Sequence, residues 1–264
     1  MSMETILRIR GLIFWGGLLL FLVFELWRSY RPGTVSKLSR FVTNISLTVF
    51  NSIVLSLLFA SVAAETAAYV TMQKTGVLNI LDLPFWVRLF VTVVFMDFML
   101  YIWHLLNHEA PLFWRFHRVH HSDLNMDVST ATRFHLGELS ISAIIKIALV
   151  YFLGADLLGL VVFESLLVLS SQFQHSSLRV PDSFEKIYWL LFVPPSMHRI
   201  HHSVVVKERD TNYGTIFSVW DRMLGTLLTA VDQNTILIGM GAYRNPKELK
   251  LYKLIKMPFT RAVK

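Results

Sequence analysis

Residues 84–122 read PFWVRLFVTVVFMDFMLYIWHLLNHEAPLFWRFHRVHHS, and this stretch decides the fold. From Pro84 onward it is apolar for about 20 residues, long enough for a helix to cross a lipid bilayer. Near the end of that run, His104 and His108 stand four residues apart, so their imidazoles stack on one helix face. The stretch therefore predicts a membrane helix that carries histidines out to the membrane surface.

The histidines of the whole chain are concentrated around this stretch. All ten fall between residues 104 and 202, and the clusters HRVHH at 117–121 and HRIHH at 198–202 both have the spacing i, i+3, i+4. Neutral imidazole is the commonest protein ligand for metals. Ten imidazoles exceed the coordination shell of one ion, so the sequence predicts two metal ions. The predicted ligands are His104, His108, His117, His120, His121, His135, His175, His198, His201 and His202.

The donor set limits the metal and excludes several enzyme classes. An all-imidazole set suits iron, zinc, copper or nickel, and the absence of cysteine excludes thiolate ligands and disulfides. The sequence lacks HExxH, the zincin protease motif, and Glu-x-x-His, which ferritin-like di-iron proteins use. It also lacks GxSxG, P-loop and GxGxxG motifs, so nucleophilic hydrolysis and nucleotide binding have no support.

One stripe of the third apolar run is polar. Asp97, Tyr101, His104 and His108 recur at i, i+4, i+7 and i+11. Ionisable groups at membrane depth normally face a protein interior and a functional site. We therefore expect Asp97 to support the metal site by a hydrogen bond that orients His104, with a polar helix-packing contact as the alternative.

The composition places the chain in a membrane. Of 264 residues, 54% are hydrophobic and 16% are charged, with a mean hydropathy of +0.51. A soluble domain of this length is far less apolar. The net charge is +7, but the basic residues lie near apolar segments, where they suit anionic lipid headgroups better than nucleic acid.

Four apolar segments define the predicted architecture: 11–27, 42–71, 84–106 and 139–173. The first is interpreted as a retained anchor helix rather than a cleaved signal peptide. The last is long enough for a helical hairpin, which includes the re-entrant form, or for two short spans. The fold class is therefore an all-α integral membrane bundle of about three to four transmembrane helices plus this hairpin, with a cytoplasm-facing helical cap around the two metals.

The distribution of lysine and arginine predicts the orientation in the membrane. The 28–40 loop carries four basic residues and no acid, whereas the 72–83 loop carries Lys74 beside Asp82. Basic loops stay on the cytoplasmic side, so the first loop, the histidines and the C-terminus are predicted there. Arg8 and Arg10 argue the other way.

Several motifs resemble those of the fatty acid hydroxylase superfamily, also called the sterol desaturase family. The resemblance covers roughly residues 90–230. Leu136 stands where a proline usually follows the histidine, and Ser177 stands where many members carry asparagine. The matching stretches are DFMLYIWHLLNH (97–108), LFWRFHRVHHS (112–122), RFHLGE (133–138), QHSSL (174–178), PSMHRIHHS (195–203), NYG (212–214) and WDRMLGT (220–226).

The resemblance implies an integral membrane oxygenase with a di-iron centre on its cytoplasmic side. It implies two iron ions, for which zinc can substitute in isolated protein, and O2 as co-substrate. Electrons would come from an external donor of the cytochrome b5 or ferredoxin type. Glu138 and Asn212 lie in the matching stretches and are expected, with Asp97, to support the centre. The division expected is 1–85 as N-terminal transmembrane helices, 86–231 as the histidine-box domain and 232–264 as a basic amphipathic tail.

The reaction implied is hydroxylation of a lipid C–H bond, on a sterol, fatty acyl or ether lipid. Desaturation by the same centre is the nearest alternative. A di-zinc membrane hydrolase and a non-catalytic lipid-binding protein are alternatives from other classes. Trp103, Trp114 and Trp189 are expected in an interfacial aromatic belt, with the lining of a lipid channel as the second interpretation.

Overall fold

Helices carry nearly all the regular structure of the computed structural model, which describes residues 3–59, 62–261 and 263. Within those ranges, β-structure is limited to isolated bridges. The α-helices are α1 (Met3–Trp27), α2 (Lys37–Phe59), α3 (Val62–Met72), α4 (Val77–Ile80), α5 (Phe85–Glu109), α6 (Pro111–His121), α7 (Leu136–Leu153), α8 (Leu157–His175), α9 (Asp182–Tyr188), α10 (Pro195–His201), α11 (Val206–Arg209), α12 (Val219–Leu224) and α13 (Leu251–Lys256). Short 3₁₀ helices span Val128–Thr132, Pro246–Leu249 and Met257–Phe259.

The predicted all-α membrane bundle is confirmed. Among the described residues, five helical segments are long and apolar enough to cross a membrane. Each predicted apolar run lies largely in one of them, except that 139–173 divides between two. The segments are Glu4–Trp27, Lys37–Ile80, Phe85–Glu109, Leu136–Leu153 and Leu157–His175.

The hairpin between α7 and α8 turns at Gly154, whose positive φ of 73° favours glycine. A β-carbon there would also lie 2.6 Å from the Asn79 side chain. Asp156 then caps α8 by accepting from the backbone N–H of Gly159. The two helices have 18 and 19 residues, about 27 and 28 Å at 1.5 Å per residue, so each nearly matches the hydrocarbon core.

Helix α8 is the centre of the bundle, because it packs against both α1 and α5. Its Leu160 and Phe163 join Val93 and Met96 of α5 and Val150 of α7 in the main apolar core. This packing brings the C-terminal ends of α5 and α8 together below the cap formed by α6 and α10.

A buried charge network joins α2 to the loop that follows α6. Arg40 pairs with Asp123 (Nε–Oδ1 2.5 Å) and with Asp127 (Nη1–Oδ2 2.7 Å). Arg133 reaches the same region and donates to the Asn44 side chain at 2.8 Å. Burial alone would raise the pKa of Asp123, but the Arg40 guanidinium outweighs it and holds that pKa well below its usual range.

The C-terminal segment, for which we expect a basic amphipathic tail, is not one continuous helix. An extended Lys250 separates the Pro246–Leu249 turn from α13, so the basic residues do not share one long helix face. The apolar Leu249, Leu254 and Met257 pack against Leu47 of α2 and Val119 of α6. These three apolar side chains of the tail are therefore covered by the protein itself.

Candidate metal centre

Nine of the ten histidines converge in the cap as two groups. In each group the candidate ligand atoms all lie within 4.8 Å of one another. We call them the five-histidine group, drawn from α5, α6 and α10, and the four-histidine group, drawn from α6, α8 and α10 with its C-cap. The members are His104, His108, His117, His121 and His201 in the first, and His120, His175, His198 and His202 in the second.

Each HxxHH cluster is shared between the two groups. In α6, His117 and His121 belong to the five-histidine group, while His120 belongs to the other. In the second cluster the division is reversed. His198 and His202 belong to the four-histidine group, while His201 belongs to the five-histidine group. Residues at i and i+4 lie one above the other on a helix, whereas i+3 is displaced to one side. The i, i+3, i+4 spacing therefore lets one helical turn supply histidines to two neighbouring sites.

The ring nitrogens of the four-histidine group face one another closely. His175 Nε2 lies 3.1 Å from His120 Nε2 and 2.9 Å from His198 Nε2, and His198 Nε2 lies 3.2 Å from His202 Nε2. A neutral imidazole has a single N–H, so these nitrogens cannot all be satisfied by one another. A metal ion bound by these nitrogens would satisfy their lone pairs.

Five of the nine converging histidines have their outward ring nitrogen held by an acceptor. His104 Nδ1 donates to the Tyr213 carbonyl and His201 Nδ1 to the Thr211 carbonyl, both at 2.8 Å. Since a carbonyl only accepts, Nδ1 carries the proton and Nε2 presents its lone pair inward. The other such contacts are His117 Nδ1 to Glu138 Oε1 (2.8 Å), His175 Nδ1 to the Ser171 carbonyl (2.7 Å) and His108 Nδ1 to Asp210 Oδ1 (3.1 Å).

The inward nitrogens fit a bound transition metal. The Nε2 atoms of His108 and His201 are buried and have no hydrogen-bond partner among the described residues. Burial, reinforced by neighbouring imidazoles, lowers the pKa of His120, His121 and His202 well below the usual value, so these rings are neutral. Neutral, unpartnered and converging nitrogens are the form in which histidine binds metal.

His135 is not brought into either group. Its Nδ1 accepts from the backbone N–H of Gly137 at 2.9 Å and caps α7, and its Nε2 lies 3.1 Å from the Ile255 carbonyl. Both nitrogens therefore have backbone partners. The expectation that His135 is a metal ligand lacks geometric support, because its position one residue before α7 uses the ring as a helix cap.

Asp97 does not contact His104, contrary to the expectation from the polar stripe. Its carboxylate accepts from the backbone N–H groups of Ile216 (3.0 Å) and Phe217 (3.2 Å) and from the Trp220 indole (2.8 Å). The carboxylate thereby anchors the 213–220 loop to α5. That loop supplies the Tyr213 carbonyl to His104, so Asp97 supports the centre through the backbone rather than directly.

Asn212 also supports the centre through backbone contacts. It adopts a left-handed φ of 58°, and its side chain accepts from Leu228 N–H (2.8 Å) and donates to the carbonyls of Leu228 (2.9 Å) and Met197 (3.3 Å). These bonds fix the backbone between the Thr211 and Tyr213 carbonyls, which bind the two outward histidine nitrogens. Asparagine tolerates this backbone region better than most residues.

The sequence reasoning did not identify the acceptors supplied by the backbone or the role of Asp221. The Asp221 carboxylate accepts from the backbone N–H groups of Tyr213 and Gly214, both at 2.7 Å. It thus completes the loop that Asp97 holds from the other side. Backbone carbonyls have no residue signature, although Asp221 lies in the recognised WDRMLGT stretch.

Comparison with known proteins agrees with this geometry. Residues 89–226 match the family model described as fatty acid hydroxylase. The chain belongs to the fatty acid hydroxylase family. The confirmed resemblance begins within α5 and ends two residues after α12, and it contains all nine converging histidines.

Curated relatives of this family member include three kinds of lipid-modifying enzyme. It is 36% identical over 138 residues to an ornithine lipid hydroxylase of Rhizobium tropici (51% of this chain, 40% of that protein). It is 31% identical over 190 residues to an alkylglycerol monooxygenase of Caenorhabditis elegans (71% and 36%) and 29% identical over 145 residues to a human cholesterol 25-hydroxylase (54% and 51%). The chain spans between about a third and a half of the length of these relatives. No solved structure matches it.

This fatty acid hydroxylase family member has a largely apolar cavity of about 300 Å³ against both histidine groups. We call it the histidine cavity. Its lining includes Leu100, Phe134, Leu139, Leu167 and Val168, together with histidines from each group. A C–H bond of an apolar ligand in this space would lie beside the candidate metal ligands.

The tryptophans of the predicted interfacial belt have other positions. Trp103 is buried and lines the histidine cavity, which agrees with the second interpretation. Trp114 is also buried and packs on the His108 ring, with the Arg209 guanidinium 4.6 Å from its own ring centre. The belt prediction is wrong for these two, while the half-buried Trp189 donates to the Ser196 hydroxyl.

Glu138 offers a test of how the ligands are oriented in this family member. Replacing Glu138 by alanine removes the acceptor that holds His117 Nδ1, and we expect metal affinity and activity to fall about 10–100-fold. Glu138→Gln keeps a neutral acceptor and should lie between wild type and alanine. Metal titration and turnover should follow that order, with the exposed-tail variant Glu248→Ala unchanged. Equal values for all four proteins would contradict the role.

Proposed function

We propose that this family member is a membrane-bound di-iron oxygenase that hydroxylates a lipid C–H bond with O2 and external electrons. The observation that carries the proposal is the apolar histidine cavity, which reaches both groups of converging imidazoles. The names of the relatives, which are lipid hydroxylases and a monooxygenase, support the same reaction class.

The residues of the chain would hold and position the reactants. The five- and four-histidine groups would each bind one iron ion, and zinc is expected to replace it in isolated protein because it binds such sites at least as well. When bound, the pair of ions would supply O2 activation. Glu138 and the Thr211 and Tyr213 carbonyls keep the ligand nitrogens aimed inward, and the apolar lining excludes water from the reacting C–H bond.

Product mass spectrometry under 18O2 tests the proposed reaction. Lipid extracts of cells that express the chain should contain a species heavier by one labelled oxygen, absent from cells that express a His202→Ala variant. A product lighter by two hydrogens would instead establish the desaturase alternative. An unchanged lipid profile, with the protein inserted and an electron donor of the cytochrome b5 or ferredoxin type present, would refute the oxygenase.

The sidedness proposed here puts the cap and its electron donor on the cytoplasmic side. Residue 36 lies at the cap end of α2, beside the Arg40–Asp123 pair, whereas residue 73 lies just after α3, in the loop predicted on the opposite side. The chain has no cysteine, so single cysteines are clean reporters. Of the exposed positions Ser36, Gln73 and Lys207, we expect only Gln73→Cys to react with a membrane-impermeant thiol reagent on intact cells. Reaction at Lys207→Cys would place the cap outside.

We also propose that the chain divides into three parts, with boundaries after residues 85 and 231. Residues 1–85 would anchor and flank the site, and 86–231 would carry its ligands. The side chain of Arg118 in α6 donates to the backbone carbonyls of Met257 and Arg261, which joins this part of the tail to the cap.

A further inference from the structure

Three charged side chains meet inside the apolar spans, away from the histidines. Lys146 of α7 pairs with Glu164 of α8 (Nζ–Oε1 2.5 Å), and Arg10 of α1 pairs with the other oxygen of the same carboxylate (Nε–Oε2 3.2 Å). Each residue lies well within a segment apolar enough to cross the membrane. Two cations share one carboxylate, so the cluster has a formal net charge of +1.

A bare net charge at this depth is costly, which argues against a purely structural role for the cluster. One cation and one carboxylate would suffice to join α7 and α8, and the second cation adds charge without an added acid. The side chains of Arg10 and Lys146 remain 40% and 30% exposed, whereas that of Glu164 is 9% exposed. The cations therefore keep hydrogen-bonding capacity for a further acceptor.

The cluster lines a cavity of about 570 Å³ between α1, α2, α7 and α8, which we call the lateral cavity. Apart from the charged cluster, its walls are mainly apolar, with Ile13 and Val49 among them. Phe14, Leu167 and Val168 line both the lateral cavity and the histidine cavity. The two spaces are thus neighbours across a wall of three apolar side chains.

We propose that the lateral cavity binds a lipid with an anionic group, for which Arg10 and Lys146 provide the counter-charge. Its hydrocarbon chain would run past Phe14 into the histidine cavity. A carboxylate or phosphate would give the two cations a second anion, and the apolar walls would hold the chain. This assignment rests on the proposed function, because it treats the histidine site as the reaction centre.

The position of the charged cluster also determines which part of the lipid's hydrocarbon chain reacts. Glu164 precedes His175 by 11 residues on α8, a separation of about 16 Å at 1.5 Å per residue. The oxidised carbon would therefore lie far from the anionic group along the lipid's hydrocarbon chain. Hydroxylation next to that group would be inconsistent with this site.

Equilibrium binding to the full chain tests the site without turnover. Radiolabelled hexadecanoic acid, hexadecyl phosphate and hexadecanol are compared as probes in detergent micelles with no electron donor present. Lys146→Gln should weaken binding of an anionic probe roughly tenfold, the loss expected for one charge-assisted hydrogen bond, while hexadecanol binding stays unchanged. The acid and phosphate arms show which anion is preferred. The exposed Lys207→Gln serves as the matched control.

Glu164→Gln makes the test directional. Removing the competing carboxylate raises the net charge of the cluster, so anionic probes should bind more tightly than to wild type, whereas damage to the fold would weaken all three probes. Equal loss of acid, phosphate and alcohol binding in Lys146→Gln, or weaker anion binding in Glu164→Gln, would overturn the site.

Anion-selective binding in a protein that incorporates no 18O would defeat the proposed function and leave the site standing. Incorporation of 18O without anion selectivity would do the reverse.

Discussion

Replacing His201 with alanine is expected to lower product formation by more than about 100-fold. Loss of an outer-shell partner of a metal ligand already costs roughly 10–100-fold, and loss of the ligand itself should cost more. His201 Nε2 is buried, points into the five-histidine group and has no other partner among the described residues. Membrane insertion should be unchanged, because it depends on the apolar spans. Turnover of a supplied lipid, normalised to protein in the membrane, measures the effect.

His135→Ala is the matched control for that experiment. His135 lies outside both groups and caps α7, so its loss should cost about 1 kcal/mol of stability and leave most activity in place. Activity retained in His201→Ala, or abolished in a folded His135→Ala protein, would contradict the assignment of ligands.

The largest loss of stability is expected from Asp123→Ala. The variant would leave the buried Arg40 guanidinium with a single carboxylate and would remove an acceptor from Asn44 and Thr130. Breaking a buried ion pair on one side typically costs about 3–5 kcal/mol. Denaturation in detergent micelles, followed by helical circular dichroism, should show this loss.

The exposed variant Asp232→Ala should stay within roughly 0.5 kcal/mol of wild type in the same assay. The folded pKa of Asp123 is held below its unfolded value of about 3.9, so its contribution is present above that pH and disappears as the pH falls further. Asp123→Ala should therefore lose part of the acid sensitivity of the wild-type protein. An Asp123→Ala protein as stable as Asp232→Ala would contradict the network.

The local features of the fold were predictable from the sequence, because they depend on short periodicities. Apolar runs of about 20 residues predict spans, and the i, i+3, i+4 spacing predicts stacked imidazoles. The same spacing could not reveal that His120 and His201 each belong to a different group from the other two histidines of their HxxHH cluster. That division depends on how α6 and α10 lie relative to each other, which is a tertiary property.

The isolated residues were harder to place. His135 and His175 are both lone histidines in sequence, yet His175 faces the four-histidine group while His135 caps a helix. Asp97 shares a helix stripe with His104 but binds backbone more than 100 residues away. Arg10, Lys146 and Glu164 are similarly distant, and only the packing of α1 and α7 against α8 brings their charges together.

Metal analysis of the purified protein tests the central claim most directly. The account predicts two equivalents of transition metal per chain in wild type, iron with zinc as a substitute, since nine converging imidazoles form two groups of ligand atoms. His201→Ala and His202→Ala, one from each group, should each hold less metal, and His135→Ala should hold the full two equivalents. Well under one equivalent in wild-type protein purified without chelators would contradict the account.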